Sequence, residues 1–263
     1  MFIASVKLVA GIKMNVVDRI SLLTKRLTEN MAYRISLLTN RLNQNLNSSV
    51  RQHLRNVYAT FTVATVAAAI GAAVVCRNNL FIITALVGSS VCLRRLQEIP
   101  YDGGKNQRKR LTILITFCFL IGFSLGPLID EAIAIDPNLL VKSLLASSIV
   151  FACFSLAALG APRGYYLYLG GTILSLLSTI CIFSLINLFI VRSQLIFELN
   201  LYLELIILCG FITYDTQIII EQVSDEKDYI IDALLLFYDF VVIFKSLLKS
   251  LIYKEKKKKK NKR

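Results

Sequence analysis

The chain has 263 residues, 56% hydrophobic and 18% charged, with a mean hydropathy of +0.62 and a formal net charge of +13. A water-soluble domain carries about 45–50% apolar and about 25% charged residues, so this balance excludes an ordinary soluble globular fold. One histidine, His53, and six cysteines without C-x-x-C spacing (Cys76, Cys92, Cys118, Cys153, Cys181, Cys209) argue against a zinc or other transition-metal centre and against a disulfide framework.

Residues 1–50 form a polar, basic preamble. Its opening "MFIASVKLVAGIKM" is interrupted by Lys7 and leads to no small-residue cleavage site, so it reads as cytosolic or lying on the membrane rather than as a signal peptide. The segment "RISLLTKRL" (19–27) returns as "RISLLTNRL" (34–42). Val16, Ile20, Leu23, Leu27, Met31, Ile35, Leu38 and Leu42 keep one helical stripe apolar, while Arg19, Arg26, Arg34 and Arg41 stay polar. This predicts an amphipathic helix, either held on anionic lipid or packed on its own domain or a partner.

From Val57 onward the sequence predicts seven hydrophobic segments: 57–76, 79–96, 111–129, 139–161, 165–191, 195–220 and 229–252. A helix crosses the roughly 30 Å hydrocarbon layer with about 20 apolar residues, so the expected class is an all-α polytopic membrane protein. The second segment is weak, being cleanly apolar only over Leu80–Leu93. The seventh is weak because it contains Asp232, Asp239, Lys245 and Lys249. Helices with such residues inside are usually buried in the bundle.

Basic residues set the expected orientation. The N-terminal region and the connection bearing Arg94, Arg95, Lys105, Arg108, Lys109 and Arg110 belong in the cytosol, and the acidic "DEAIAIDPN" on the far side. The tail "KEKKKKKNKR" conflicts with this pattern. Seven crossings would put it outside, yet Lys254, Lys256, Lys257, Lys258, Lys259, Lys260, Lys262 and Arg263 argue for the cytosol. Either the seventh segment re-enters, or a late tail breaks the rule.

Two acids lie deepest in the last two segments: Asp215 in "FITYDTQIII" and Asp239 in "LFYDFVV". If the segments pair as a hairpin through "QVSDEKD", both aspartates are equally far from the turn. Asp239 then lies about 15 Å along its helix from Tyr229. Two facing carboxyls in low dielectric do not both ionise readily; they share a proton and titrate as a pair. Deprotonated, they offer oxygen ligands to calcium. Glu204, about three turns before Asp215, and Asp232, two turns before Asp239, extend a possible acidic ion path. The plainer alternative is that the aspartates tie helices together through Thr213, Tyr214, Tyr238 or backbone groups. Glu204 and Asp232, near helix ends, read more readily as solvated groups.

The stretches "QHLRNVYATF" (52–61), "GPLID" (126–130), "APRGYYLYLGG" (161–171), "CGFITYDTQIIIE" (209–221) and "LFYDFVVIFKSLL" (236–248), with the lysine-rich end, closely resemble the Bax inhibitor (transmembrane BAX inhibitor motif-containing) family, in its endoplasmic-reticulum branch. The likeness runs from about Ser49 to the C-terminus. It implies a seven-helix bundle with the last helix central, in the endoplasmic-reticulum membrane with a cytosolic N-terminus. It further implies a pH-controlled calcium leak and suppression of apoptosis and ER stress, with no catalytic residues and no cofactor beyond calcium as the permeant ion. Asp215 in "YDTQ" and Asp239 in "YDF" match the family's sensor and gate, where calcium would bind transiently. Arg94, with Arg95 beside it, matches a latch arginine, although such a pair is ordinarily an interfacial anchor.

The implied partners are membrane lipids, calcium ions, protons, and Bcl-2-type apoptosis regulators or ER stress sensors; nucleic acid is not among them. The expected organisation is a basic region at 1–50, a membrane domain at 51–253 and a polybasic tail at 254–263. The tail could meet anionic lipid, at roughly 1 kcal/mol per residue near the surface, bind proteins, sense pH or simply be solvated. Two departures from the family stand out: the preamble is long, and Leu235 occupies a position where some members carry an acid. Two other functions compete with the leak. A non-conducting adaptor would recruit apoptosis regulators through its tail. An intramembrane aspartyl protease also needs two acids, but "FYDFV" lacks the glycines of the "GxGD" context.

Overall fold

The structure is a computed structural model; it describes residues 25–26, 28–30, 33, 36, 48–74, 79–102, 105–162, 164–187, 189, 194–221 and 228–261. The chain divides into two compact units, Met1–Leu46 and Asn47–Arg263. In the first, the described residues are helical and exposed. The apolar stripe predicted there, from Val16 to Leu42, lies outside the described residues.

The second unit is all-helical among its described residues. Its helices are α1 (Ser48–Ala73), α2 (Asn79–Glu98), α3 (Gln107–Ser124), α4 (Gly126–Ile135), α5 (Asn138–Gly160), α6 (Leu169–Ile186), α7 (Gln194–Glu221) and α8 (Tyr229–Asn261). By length and composition four of them can cross a membrane: α1, α5, α6 and the Glu198–Glu221 part of α7. The pair α3 and α4, bent by 40°, makes a fifth if taken as one span. Helices α2 and α8, the two weak segments of the sequence, are not among the candidate spans found in the described residues. All seven predicted segments coincide with helices, but apolarity alone supports four or five crossings.

Three boundaries differ from expectation. The third segment is two helices, since Pro127 lacks an N–H and its ring disfavours continuing the α3 ladder, whereas it fits the first turn of a new helix. The acidic "DEAIAIDPN" is accordingly helical through Ile135 rather than a loop, with Ala132 fully buried. The fifth segment opens in turns at Tyr165–Tyr168, after Gly164 at φ +72°, and becomes helix only at Leu169.

Helix α8 packs against α1, α3, α4, α5 and α7. Its side chains Ile230, Leu236, Phe237, Ile243 and Leu248 are almost wholly buried. Around it Phe61 stacks on Phe151 at 5.0 Å, and Phe240 meets both edge-on at 5.8 Å. Helix α5 turns a stripe of small or flat groups inward (Ser143, Ser147, Phe151, Ser155, Ala158) against α7 and α8. Small residues in this pattern let helices approach where lipid offers no hydrophobic drive. The outer faces are apolar instead, with Ile149 and Leu174 63% exposed and Ile206 67% exposed. Such a surface is a liability in water and is suited to a bilayer.

Helices α1 and α3 pack backbone to backbone. A Cβ placed on Gly122 would lie 1.9 Å from the Ala68 carbonyl oxygen, and one on Gly71 would lie 2.1 Å from that of Phe119. The opposing atoms are main chain and cannot turn aside. Gly122→Ala is therefore expected to cost about 1–3 kcal/mol or more through overpacking, seen as a lowered thermal midpoint in detergent. An unchanged midpoint would contradict this packing.

Candidate functional site

Asp215 is placed by α7, whose Ile212 and Ile219 are fully buried and whose Tyr214 ring lies against Gly170 of α6, where a Cβ would come within 2.8 Å. Asp239 is placed by α8 between fully buried Leu236 and Ile243, and is itself only 6% exposed. The two carboxyls meet across the α7–α8 contact, within hydrogen-bonding reach of each other. A bond between two carboxyls requires a proton on one of them. As two carboxylates both present acceptors only, and Oδ2 of Asp239 is then fully buried with no donor.

Polar groups surround the pair. Beside Asp215, Thr216 and Gln217 are fully buried. The Gln217 amide donates to the Ala158 carbonyl at 2.5 Å, while its Oε1 has no partner. Ser155 links Thr216, at 3.4 Å, to the Tyr58 hydroxyl of α1, at 2.5 Å. On α8, Asp232, Asp239 and Ser246 recur every seventh residue, and all are buried; the Ser246 hydroxyl has no partner. Unpartnered buried oxygens are where water or a hard cation is held. Among the described residues no three His, Cys, Asp or Glu side chains cluster as a metal site.

The ends of α8 are tied to opposite ends of the bundle. At its start, Arg110 of α3 is buried; its guanidinium donates to the Ile99 carbonyl and to the Asp228 carboxylate. Burial pushes the Asp228 carboxyl above its ordinary range, against the opposing pull of the Ile230 N–H and of Arg110. One turn on, Asp232 receives His53 of α1 at 2.7 Å. At the far end, Tyr253 and Lys257 both donate to Glu198 of α7, at 2.7 and 2.6 Å. Lys256 pairs with Glu131 of α4 at 2.5 Å, and Lys259 reaches the Ile135 carbonyl at 3.1 Å. Helix α8 thus runs about 50 Å without a break, from the end holding the α2–α3 connection to the end holding α4.

Several predicted residues lie elsewhere than expected. Asp232 is not a solvated end group; it is 3% exposed and engaged by His53. Glu204 is half-buried and lies within electrostatic reach of Lys245, so the acidic line carries a cation at that end. Arg94 and Arg95 are exposed, on a helix whose principal neighbour is α3, and Arg95 pairs with Glu98 at 3.2 Å. The structure does not bring either arginine to the aspartates. The tail is not a separate segment: Lys254, Lys256, Lys257, Lys258, Lys259 and Lys260 continue α8, and Lys254 lies 5.3 Å from the Tyr202 ring centre. Lys262 and Arg263 lie outside the described residues.

The sequence reading missed His53, Arg110, Asp228 and Ser246 as site neighbours. Only Ser246 left a signal, its heptad spacing from Asp239; the others are joined by contacts over 100 residues apart in sequence. Because Glu198 holds two tail groups at a partly exposed position, Glu198→Gln is expected to leave the thermal midpoint nearly unchanged. Trypsin cleavage between Lys256 and Lys259 should become faster, and an unaltered cleavage rate would show that the tail is held by other contacts.

The sequence profile of the family described as Inhibitor of apoptosis-promoting Bax1 matches residues 50–256. The chain is 40% identical over 222 residues to Bax inhibitor 1 of Mus musculus and 38% identical over 222 residues to that of Homo sapiens; each match covers 83% of this chain and 92% of the relative. It is also 38% identical over 207 residues to Bax inhibitor 1 of Arabidopsis thaliana, covering 77% of this chain and 81% of that one. The matched region takes in every element that builds the aspartate pair and its surroundings, and on these grounds the chain belongs to the Bax inhibitor family of apoptosis-inhibiting membrane proteins.

Proposed function

We propose that this protein is a pH-sensitive calcium leak of the endoplasmic-reticulum membrane, gated by Asp215 and Asp239, and a negative regulator of apoptosis and ER stress. In this reading the second unit crosses the membrane seven times with α8 in the middle and the N-terminus in the cytosol. The observation that carries it is the meeting of the two carboxyls, with a buried oxygen of Asp239 left without a donor. An intramembrane acid is costly and is kept for a reason.

With one proton between them the carboxyls join α7 to α8 and close the path. Loss of that proton leaves two like charges that separate, and calcium passes along the oxygens of α8 and α7. Asp232 lies on this route, but its contact with His53 makes it a fixed wall rather than a free ligand. Glu204 contributes at the other end against Lys245. The arginine latch has no support in this arrangement. The test is calcium efflux from proteoliposomes of purified protein across a pH series. Flux that rises with pH agrees with the reading; absence of flux at every pH would leave the aspartates as a structural clasp and favour a non-conducting adaptor.

A further inference from the structure

A crevice of about 410 Å³ lies between α1, α4, α5 and α8, apart from the aspartate pair. Its origin is visible in the sequence: the 40° bend at Pro127 carries α4 away from α3, and Ala69 and Ala72 of α1 offer almost no side-chain volume. From α8 it is lined by Phe237, Phe240, Val241 and Phe244. The mouth lies between Ile133 and Leu144, which are 45% and 49% exposed, on the apolar outer surface. The volume falls within the range of about 300–1,000 Å³ usual for ligand sites.

The lining is apolar except for Thr65, whose hydroxyl donates to the Thr62 carbonyl, and Asp130, the one charged group. Asp130 is exposed, and among the described residues no cation is paired with it. Its neighbour Glu131 is already matched by Lys256, and Lys259 rests on the Ile135 carbonyl close by. A hydrocarbon chain fits the lining, and a primary ammonium fits the carboxylate. A quaternary ammonium has no hydrogen to donate to Asp130, and a purely anionic headgroup would face two carboxylates.

We propose that this crevice is a lipid site for phosphatidylethanolamine, with one acyl chain between α1, α4, α5 and α8 and its ammonium on Asp130. The chain would rest on Phe237, Val241 and Phe244 of α8, on the side of that helix turned away from Asp239. Occupancy therefore bears directly on the helix that carries the aspartate.

The test is native mass spectrometry of the full chain released from detergent containing equal amounts of phosphatidylethanolamine, phosphatidylcholine and phosphatidylglycerol. Wild type should retain phosphatidylethanolamine about fivefold over phosphatidylcholine, the size of one charged contact at a partly solvated rim. Asp130→Asn, at an exposed position that leaves folding intact, should bring the two lipids to parity without loss of total lipid. Ala72→Phe, which fills the crevice, should remove the retained lipid whatever its headgroup. Equal retention of the two lipids by wild type overturns the proposal, and so does a preference that survives Asp130→Asn.

Discussion

Replacing both Asp215 and Asp239 by asparagine is expected to flatten calcium efflux from proteoliposomes between about pH 5.5 and about pH 8, at the low level of the closed form. The sign follows from the shared proton. Below the titration of the pair one proton joins the carboxyls, and α7 stays on α8. Above it two negative charges face each other, and at about 4 Å with an effective dielectric of about 20 they repel by about 4 kcal/mol. That is enough to shift a balanced two-state element almost wholly to one side. Two amides remain neutral at every pH and can donate to one another, so the double variant keeps the closed contact and loses its control. The single variant Asp239→Asn should depress the response nearly as far, because Asp215 is then left without a like charge. A wild-type profile in folded double variant would sink the gate. Retained helicity by circular dichroism separates that outcome from misfolding.

Arg110→Met is expected to be the most damaging single change outside the membrane-buried pair, costing about 3–5 kcal/mol, as when one partner of a buried ion pair is removed. Both side chains are withdrawn from solvent, at 5% exposure for Arg110 and 12% for Asp228, and the guanidinium also holds the Ile99 carbonyl. Losing Arg110 leaves a buried carboxylate and a buried carbonyl with no donor from α3. The Asp228 carboxyl already stands above its ordinary range through burial. A raised folded-state value contributes stability that is present at low pH and lost as pH rises through it. Without Arg110 the value rises further, so the penalty should grow from about pH 5 to about pH 8. Thermal melts in detergent at the two ends of that range decide the matter; an equal penalty at both would mean that Asp228 is solvated in the variant. Arg110→Lys should recover part of the loss, since one ammonium cannot serve both acceptors in the same fork.

These two expectations rest on different amounts of sequence information. The aspartate pair was legible because a hairpin assumed through "QVSDEKD" sets equal distances from the turn, and helical rise converts equal distance into equal depth. The Arg110–Asp228 pair was not, because nothing in a basic loop distinguishes the arginine that folds inward from its neighbours Arg108 and Lys109, which stay exposed. Arg94 and Arg95 show the converse: the family resemblance offered them as a latch, and in the structure both are exposed on α2, whose principal neighbour is α3.

The sequence by itself determined the membrane class and the position of nearly every helix, and it put Asp215 and Asp239 at matched distances along adjoining helices. Each depends on local composition or on counting along one or two adjoining helices. Tertiary structure alone decided that α8 is unbroken to Asn261 with its lysines tied to Glu131 and Glu198, that His53 meets Asp232, and that Pro127 opens a crevice. The reason is physical. A charge run carries no record of which partners it will find. A buried ion pair exists only once helices distant in sequence have packed closely enough to exclude water from both of its members.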